Sequence, residues 1–127
     1  MTYTEAEYEH MKEVGREFLI ERARKRRYTS YTELSAVLAR RCNVRSFDFT
    51  NPADRQVMST LLGDIVRIDV GTTNLMLTAI VIYLNENDAG AGFYSYAQDL
   101  GLFAKGGDKL AFWMQQVNGV FDLYAQD

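Results

Sequence analysis

Residues 65–84, IVRIDVGTTNLMLTAIVIYL, decide the predicted fold. In the first part, Val66, Ile68 and Val70 would share one face of an extended chain, with Arg and Asp on the other face, which is typical of a half-exposed strand. The Gly-Thr-Thr-Asn that follows has turn composition, and the second half is rich in Ile, Val, Leu and Tyr, as buried strands are. The stretch is therefore predicted to form an antiparallel β-hairpin.

Three helices are predicted before the hairpin. They are expected to span about residues 5–26, 31–42 and 52–62. Each follows a residue whose side chain can cap a helix N-terminus, namely Thr4, Ser30 and Asn51. Gly63 is expected to end the third helix, because glycine readily adopts the left-handed conformation found at helix ends.

Two further helices are predicted after the hairpin. One covers about residues 93–103, and the last begins after Asp108 as its cap. Both carry many aromatic residues and are expected to cover the sheet or the first helix. The predicted fold class is α+β: a winged-helix-like three-helix unit with a β-hairpin (a small antiparallel sheet) over residues 1–84, followed by two additional C-terminal helices over residues 85–127. We expect residues 1–127 to form a single domain.

The order helix, short strand, helix, helix, hairpin is that of a winged helix. Residues 28–35, YTSYTELS, also resemble the start of the second helix in the winged domain of alkylguanine alkyltransferases and alkyltransferase-like proteins. The resemblance implies a fold and no chemistry, because the reactive Pro-Cys-His-Arg segment of that family has no counterpart and Cys42 is not followed by His. The connection over residues 43–51 is also longer than the turn of a tight helix-turn-helix.

Composition limits the function classes. The 127 residues carry a net charge of −3, which argues against a protein that coats nucleic acid everywhere. Residues 1–58 hold 11 Lys and Arg against nine Asp and Glu, so a locally basic surface is compatible with the acidic total. The lone Cys42, the acidic start of the chain and the short apolar runs predict a cytoplasmic protein without a membrane span.

A nucleic-acid interface is the first functional hypothesis. Its predicted residues are cations at the ends of the first two helices together with polar residues on the outer face of the third: Arg22, Arg24, Lys25, Arg26, Arg27, Arg40, Arg41, Arg45, Arg55, Gln56, Ser59 and Thr60. The structural alternative is that the basic run only complements the dipole of the first helix and pairs with nearby Glu residues. On the first hypothesis the protein is a small non-enzymatic accessory or regulatory protein that binds DNA.

A protein interface is the second hypothesis. Its predicted residues are the aromatic side chains of the two C-terminal helices, which could bind another protein or form a homodimer: Phe93, Tyr94, Tyr96, Phe112, Trp113, Phe121 and Tyr124. Most of them are equally expected in the core, because the open face of the sheet needs a cover.

Enzymatic chemistry has less support in the sequence. Gly90 and Gly92 precede a predicted helix and could hold a phosphate or a CoA as part of a transferase, although turn formation explains them equally well. His10 and Cys42 are the only His and Cys, whereas a zinc site needs about four such ligands. We therefore predict no catalytic residues, no metal and no cofactor.

Overall fold

Helices dominate the structure, a computed structural model in which residues 3–83 and 90–125 are described. Within these ranges the elements are, in chain order, α1 (Glu5–Arg24), β1 (Thr29–Ser30), α2 (Tyr31–Cys42), α3 (Pro52–Thr73), a 3-10 turn (Leu77–Ile80), β2 (Val81–Ile82), α4 (Ala91–Asp99) and α5 (Lys109–Tyr124). The chain is thus close to all-α with a minor sheet.

The predicted β-hairpin is wrong. Helix α3 does not end at Gly63 but continues through the stretch expected to form the first strand, as far as Thr73. The residues expected to form the hairpin turn are the last turn of this helix, and Asn74 ends it in the left-handed conformation with φ of 56°. The expected second strand is a 3-10 turn followed by only two extended residues.

The burial pattern of α3 explains why a helix forms here. Met58, Leu61, Ile65 and Val66 are buried, and they recur at the three- and four-residue spacing of a helix face. Ile68, expected on the buried face of a strand, is 48% exposed. Helical packing against α1 and the 3-10 turn therefore overrides the local preference of Val and Ile for strands.

The small sheet also differs from a winged-helix wing. Strands β1 and β2 are parallel, with Thr29 opposite Val81 and Ser30 opposite Ile82. A hairpin joins neighbouring antiparallel strands, whereas a parallel pair needs a long crossover, which α2 and α3 provide here. The α+β winged-helix assignment is therefore replaced by a helical architecture with one short parallel ladder.

The predicted starts of α1, α2, α3 and α5 are confirmed. Thr4 and Glu7 form the full capping box of α1, with N–H···O distances of 3.1 and 2.8 Å. Ser30 caps α2 by accepting from the N–H of Glu33 at 3.0 Å, and Asn51 caps α3 with Pro52 at its first position. Asp108 likewise caps α5 by accepting from the N–H of Ala111 at 3.1 Å.

Two further helices, α1 and α4, differ from the prediction in their bounds. Helix α1 ends at Arg24, and α4 covers Ala91–Asp99 instead of about residues 93–103. Just beyond α4, Gly101 has φ of 76°, a conformation that glycine adopts without steric cost.

The core lies where α1 meets α2, α3, α5 and the 3-10 turn. Gly15 of α1 lets Ile65 approach closely, since its Cδ1 atom would lie 3.1 Å from a Cβ at this position. Helix α5 is attached to the 3-10 turn by buried hydrogen bonds: the Trp113 indole N–H donates to the carbonyl of Ala79 at 2.8 Å, and Gln116 accepts from the N–H of Met76 at 2.7 Å. These contacts fix the 3-10 turn, which also packs against α3.

Candidate functional site

Four of the arginines predicted to contact nucleic acid form ion pairs with carboxylates of this chain. The pairs, with their shortest N···O distances, are Arg22–Glu33 at 2.6 Å, Arg26–Asp122 at 2.7 Å, Arg41–Glu21 at 2.8 Å and Arg45–Asp54 at 2.8 Å. The guanidinium groups of Arg22 and Arg41 also lie 5.6 and 5.5 Å from the centre of the Phe18 ring. The charges of these arginines are therefore matched by nearby carboxylates. The pairs of Arg22 and Arg41 join α1 to α2, and the pair of Arg26 joins the segment after α1 to α5.

The pair Arg45–Asp54 is the most buried of these. Both carboxylate oxygens of Asp54 accept from the Arg45 guanidinium at 2.8 Å, and one also accepts from the N–H of Asp48 at 2.7 Å. The Asp54 side chain is 1% exposed. The hydrogen bonds from Arg45 lower the pKa of Asp54 to about 2, which the N–H of Asp48 reinforces. This carboxylate holds the connection between α2 and α3 in place.

The other predicted cations of this group remain on the surface. Arg24, Lys25, Arg27 and Arg40 are exposed, and none forms an ion pair within residues 3–83 and 90–125. The basic surface is consequently smaller than the sequence run suggests.

The predicted interface aromatics lie mostly in the core. Phe93, Tyr94, Phe112, Trp113 and Phe121 are each at most 8% exposed, while Tyr96 and Tyr124 are half-buried. The large apolar side chains that α5 does expose are Leu110, Met114 and Leu123.

A groove lies between α3 and α4, with a volume of about 740 Å³. Its apolar lining consists of Tyr31, Phe49, Met58, Leu62, Met76, Tyr83, Phe93 and Tyr96. Its polar lining consists of Thr32, Arg55, Ser59, Thr60, Asp64, Arg67, Thr78, Ser95 and Asp99, with Gly63 and Gly92 completing the walls. This volume and this mixture are typical of binding sites.

One stripe of α3 forms a wall of the groove. Arg55, Ser59, Gly63 and Arg67 follow each other at four-residue spacing, which places them along one ridge that winds slowly around the helix, and all four line the groove. Three residues predicted to read DNA (Arg55, Ser59 and Thr60) therefore line this groove, whereas Gln56 is exposed outside its lining.

Neutral oxygen atoms hold the two groove arginines. Arg55 donates from Nη1 to the carbonyl of Phe49 at 2.8 Å. Arg67 donates from Nε to the hydroxyl of Tyr96 at 2.6 Å, and that hydroxyl donates to the carbonyl of Gly63 at 3.3 Å. Neither arginine forms an ion pair within the described ranges. Both are oriented, and both keep an unmatched positive charge.

The carboxylates of the groove occupy its Arg67 end. Asp64 accepts from the hydroxyl of Tyr8 on α1 at 2.5 Å. Burial raises the pKa of Tyr8, and the hydrogen bond to Asp64 raises it further, so the phenol stays a donor. Asp99 is exposed in the last turn of α4.

Of the two glycines predicted to bind phosphate or CoA, only Gly92 is part of the groove lining. Gly92 lines the groove and is exposed. Gly90 precedes α4 with φ of 89°, and a Cβ there would lie 2.5 Å from the Tyr83 ring, so its backbone role is sufficient to explain it. Residues 84–89, which precede these glycines, lie outside the described residues.

Sequence reasoning did not find the groove, because it ended α3 at Gly63. The signal was present in the four-residue spacing from Arg55 to Arg67, but a strand over residues 65–70 would place Arg67 on a different element. The opposite wall of the groove is α4, which is distant from α3 in sequence, so no local sequence pattern indicates that the two helices form a groove.

Comparisons with protein-family models, curated proteins and solved structures find no match. Among the described residues, no three His, Cys, Asp or Glu side chains come together as a metal site. None of the helices in this part of the chain combines the length and the apolar character needed to cross a bilayer.

Proposed function

We propose that the protein is an interaction module that holds a short segment of a partner protein in the groove between α3 and α4. The groove itself carries this proposal, since it combines apolar and aromatic side chains with oriented polar groups. The ion pairs of Arg22, Arg26, Arg41 and Arg45 support a protein partner over DNA, because these arginines are already matched by carboxylates.

The shape of the groove favours a peptide segment over a small molecule. Arg55 and Arg67 lie 12 positions apart on α3, and at 1.5 Å per residue this separates their Cα atoms by about 18 Å. Much of the lining is open to solvent: Arg55, Ser59 and Arg67 are exposed, and Tyr83 is 48% exposed. A long, open trough can contact an extended chain along its length, whereas small-molecule sites usually enclose most of their ligand.

A cytoplasmic location is part of the same proposal. Cys42 is a free thiol, and burial raises its pKa, so it is held in the unreactive protonated form. A reducing compartment is the natural setting for such a cysteine.

The test is selection of a phage-displayed library of random short peptides on the purified protein. Ser59→Trp places a large side chain in the groove from an exposed position of α3. Gln56→Trp introduces the same side chain on the same helix outside the groove and is the matched control. We expect the wild type and Gln56→Trp to enrich one consensus and Ser59→Trp to lose it.

Two other results would overturn the proposal. One is the absence of any consensus, or a consensus that both tryptophan variants retain equally. The other is tight, salt-dependent binding of random-sequence duplex DNA that reversing Arg24, Arg27 and Arg40 abolishes and Ser59→Trp leaves unchanged, which would return the function to nucleic acid.

A further inference from the structure

We infer that the partner segment is an extended peptide with two acidic side chains, one bound by Arg55 and the other by Arg67. This inference rests on the proposed function and specifies its partner. It comes from the contrast between these two arginines, which neutral oxygen atoms orient, and the arginines of the fold that bind carboxylates. Arg16, Arg41 and Arg45 each bind a carboxylate of this chain with two hydrogen bonds.

The free edges of the two groove arginines define what they can bind. Arg67 has Nε committed to the Tyr96 hydroxyl, so its Nη1 and Nη2 edge remains available. Arg55 has Nη1 committed to the carbonyl of Phe49, so its Nε and Nη2 edge remains available. Either edge can make the paired N–H···O bonds that suit a carboxylate. Because the anchoring oxygens are neutral, each guanidinium keeps the full charge that attracts an anion.

Tyr96 orients the guanidinium of Arg67 before an anion binds. Its hydroxyl accepts from Arg67 and donates to the carbonyl of Gly63, so the hydroxyl is satisfied in both directions. The Arg67 guanidinium also lies 5.7 Å from the centre of the Tyr96 ring. An arginine held in this way loses less side-chain entropy when an anion binds.

The spacing of the arginines sets the spacing of the acids. The Cα atoms of Arg55 and Arg67 are about 18 Å apart along α3, and an extended chain advances about 3.3 Å per residue, so roughly five to six positions span the distance, and an even spacing of about six keeps both acids on one face. Alternate side chains of such a segment would enter the apolar lining, where Met58 and Met76 are buried.

Asp64 and Asp99 exclude a uniformly anionic partner. Both line the groove, so a chain with a negative charge at every position, such as a nucleic acid, would meet repulsion there. A peptide that is apolar between its two acidic side chains meets these carboxylates only at the Arg67 end, where Arg67 supplies the opposing positive charge.

The test is fluorescence anisotropy with labelled synthetic peptides whose termini are blocked. The first peptide carries two Glu roughly six positions apart, an even spacing that keeps both on one face of an extended chain, with Leu at the alternate positions between them; the others shorten this spacing or replace Glu with Gln. Charge reversal of the groove uses Arg55→Glu with Arg67→Glu. The matched control, Arg24→Glu with Arg40→Glu, makes the same change in net charge on exposed arginines outside the groove lining.

We expect the groove reversal to weaken the Glu peptide by about tenfold or more per arginine, and the control pair to weaken it by less than about threefold. A peptide with Lys in place of Glu should bind the reversed groove better than it binds the wild type, because the charges are again complementary. That restoration cannot arise from a merely damaged fold.

The inference is overturned if the control pair weakens binding as much as the groove pair, if spacing has no effect, or if the Lys peptide gains nothing. Its failure is distinguishable from failure of the proposed function. A selected consensus that Ser59→Trp abolishes but that lacks the acidic pair would retain the groove as a docking site and reject the two arginines as its anion-binding groups. Selection that is independent of the groove would reject both.

Discussion

Replacing Asp54 with Asn should destabilise the protein by about 2 kcal/mol near pH 7, and the loss should shrink in acid. The ordinary pKa of 3.8 falls to about 2 in the folded chain because Arg45 and the N–H of Asp48 hydrogen-bond to the ionised carboxylate. Each pH unit between the folded and unfolded pKa corresponds to about 1.4 kcal/mol. The ionised Asp54 therefore stabilises the fold by about 2 kcal/mol relative to its neutral form.

The sign follows from the lowered pKa. The stabilisation is fully present above about pH 4, and it is lost as the pH falls towards about 2, where the folded carboxyl takes up its proton. The amide of the Asp54→Asn variant has no such proton to take up, so the gap between wild type and variant should close over this interval.

Urea denaturation followed by the fluorescence of Trp113, the single tryptophan of the chain, measures this gap. Asp122→Asn is the control, because its ion pair with Arg26 joins side chains that are 70% and 53% exposed. An exposed pair of this kind contributes about 0–1 kcal/mol. A gap for Asp54→Asn no larger than that of the control, or one that stays constant from about pH 7 to about pH 2.5, would refute the reasoning.

Three further substitutions test the fold. Gly71→Ala should stabilise the protein by roughly 0.5–1 kcal/mol, because position 71 is helical and a Cβ there meets nothing within 4 Å; lower stability in urea would instead indicate the turn that the sequence suggested. Trp113→Phe should cost about 1–3 kcal/mol, since it leaves the buried carbonyl of Ala79 without its donor; circular dichroism during thermal denaturation would measure this, and an unchanged midpoint would contradict the hydrogen bond. Leu61→Ala, at a fully buried position of α3, should lower the free energy of unfolding by about 2–5 kcal/mol in the same experiment. A loss no larger than that of a surface substitution would show that this face of α3 points to solvent and not to the core.

Signals that act within one helical turn were sufficient to predict the helix starts. Thr4, Ser30, Asn51 and Asp108 cap helices through bonds to residues two or three positions away, so no distant contact is needed to recognise them. The element order up to α2 followed from the same local information.

The part of the fold that failed depends on distant contacts. Val66, Ile68 and Val70 alternate as in a strand, yet the same segment also continues the helical spacing of Leu61 and Ile65. A local pattern cannot choose between the two, because the choice depends on how α1 packs against this segment. Ion pairing between Arg16 and Asp69 at 2.9 Å is one such distant contact, and it requires a helix that reaches past residue 63. The error in α3 then concealed the groove, which depends on the full length of that helix.

The two-residue ladder between β1 and β2 positions one edge of the groove. Tyr31 directly follows β1 and Tyr83 directly follows β2, and their rings meet with centres 4.7 Å apart at the edge of the groove. That edge exists only after the chain has closed a loop that contains both α2 and α3, a step whose entropic cost grows with the logarithm of loop length. A peptide segment would consequently bind only to the completely folded chain. Its binding in the groove would therefore stabilise the native state relative to partly folded states.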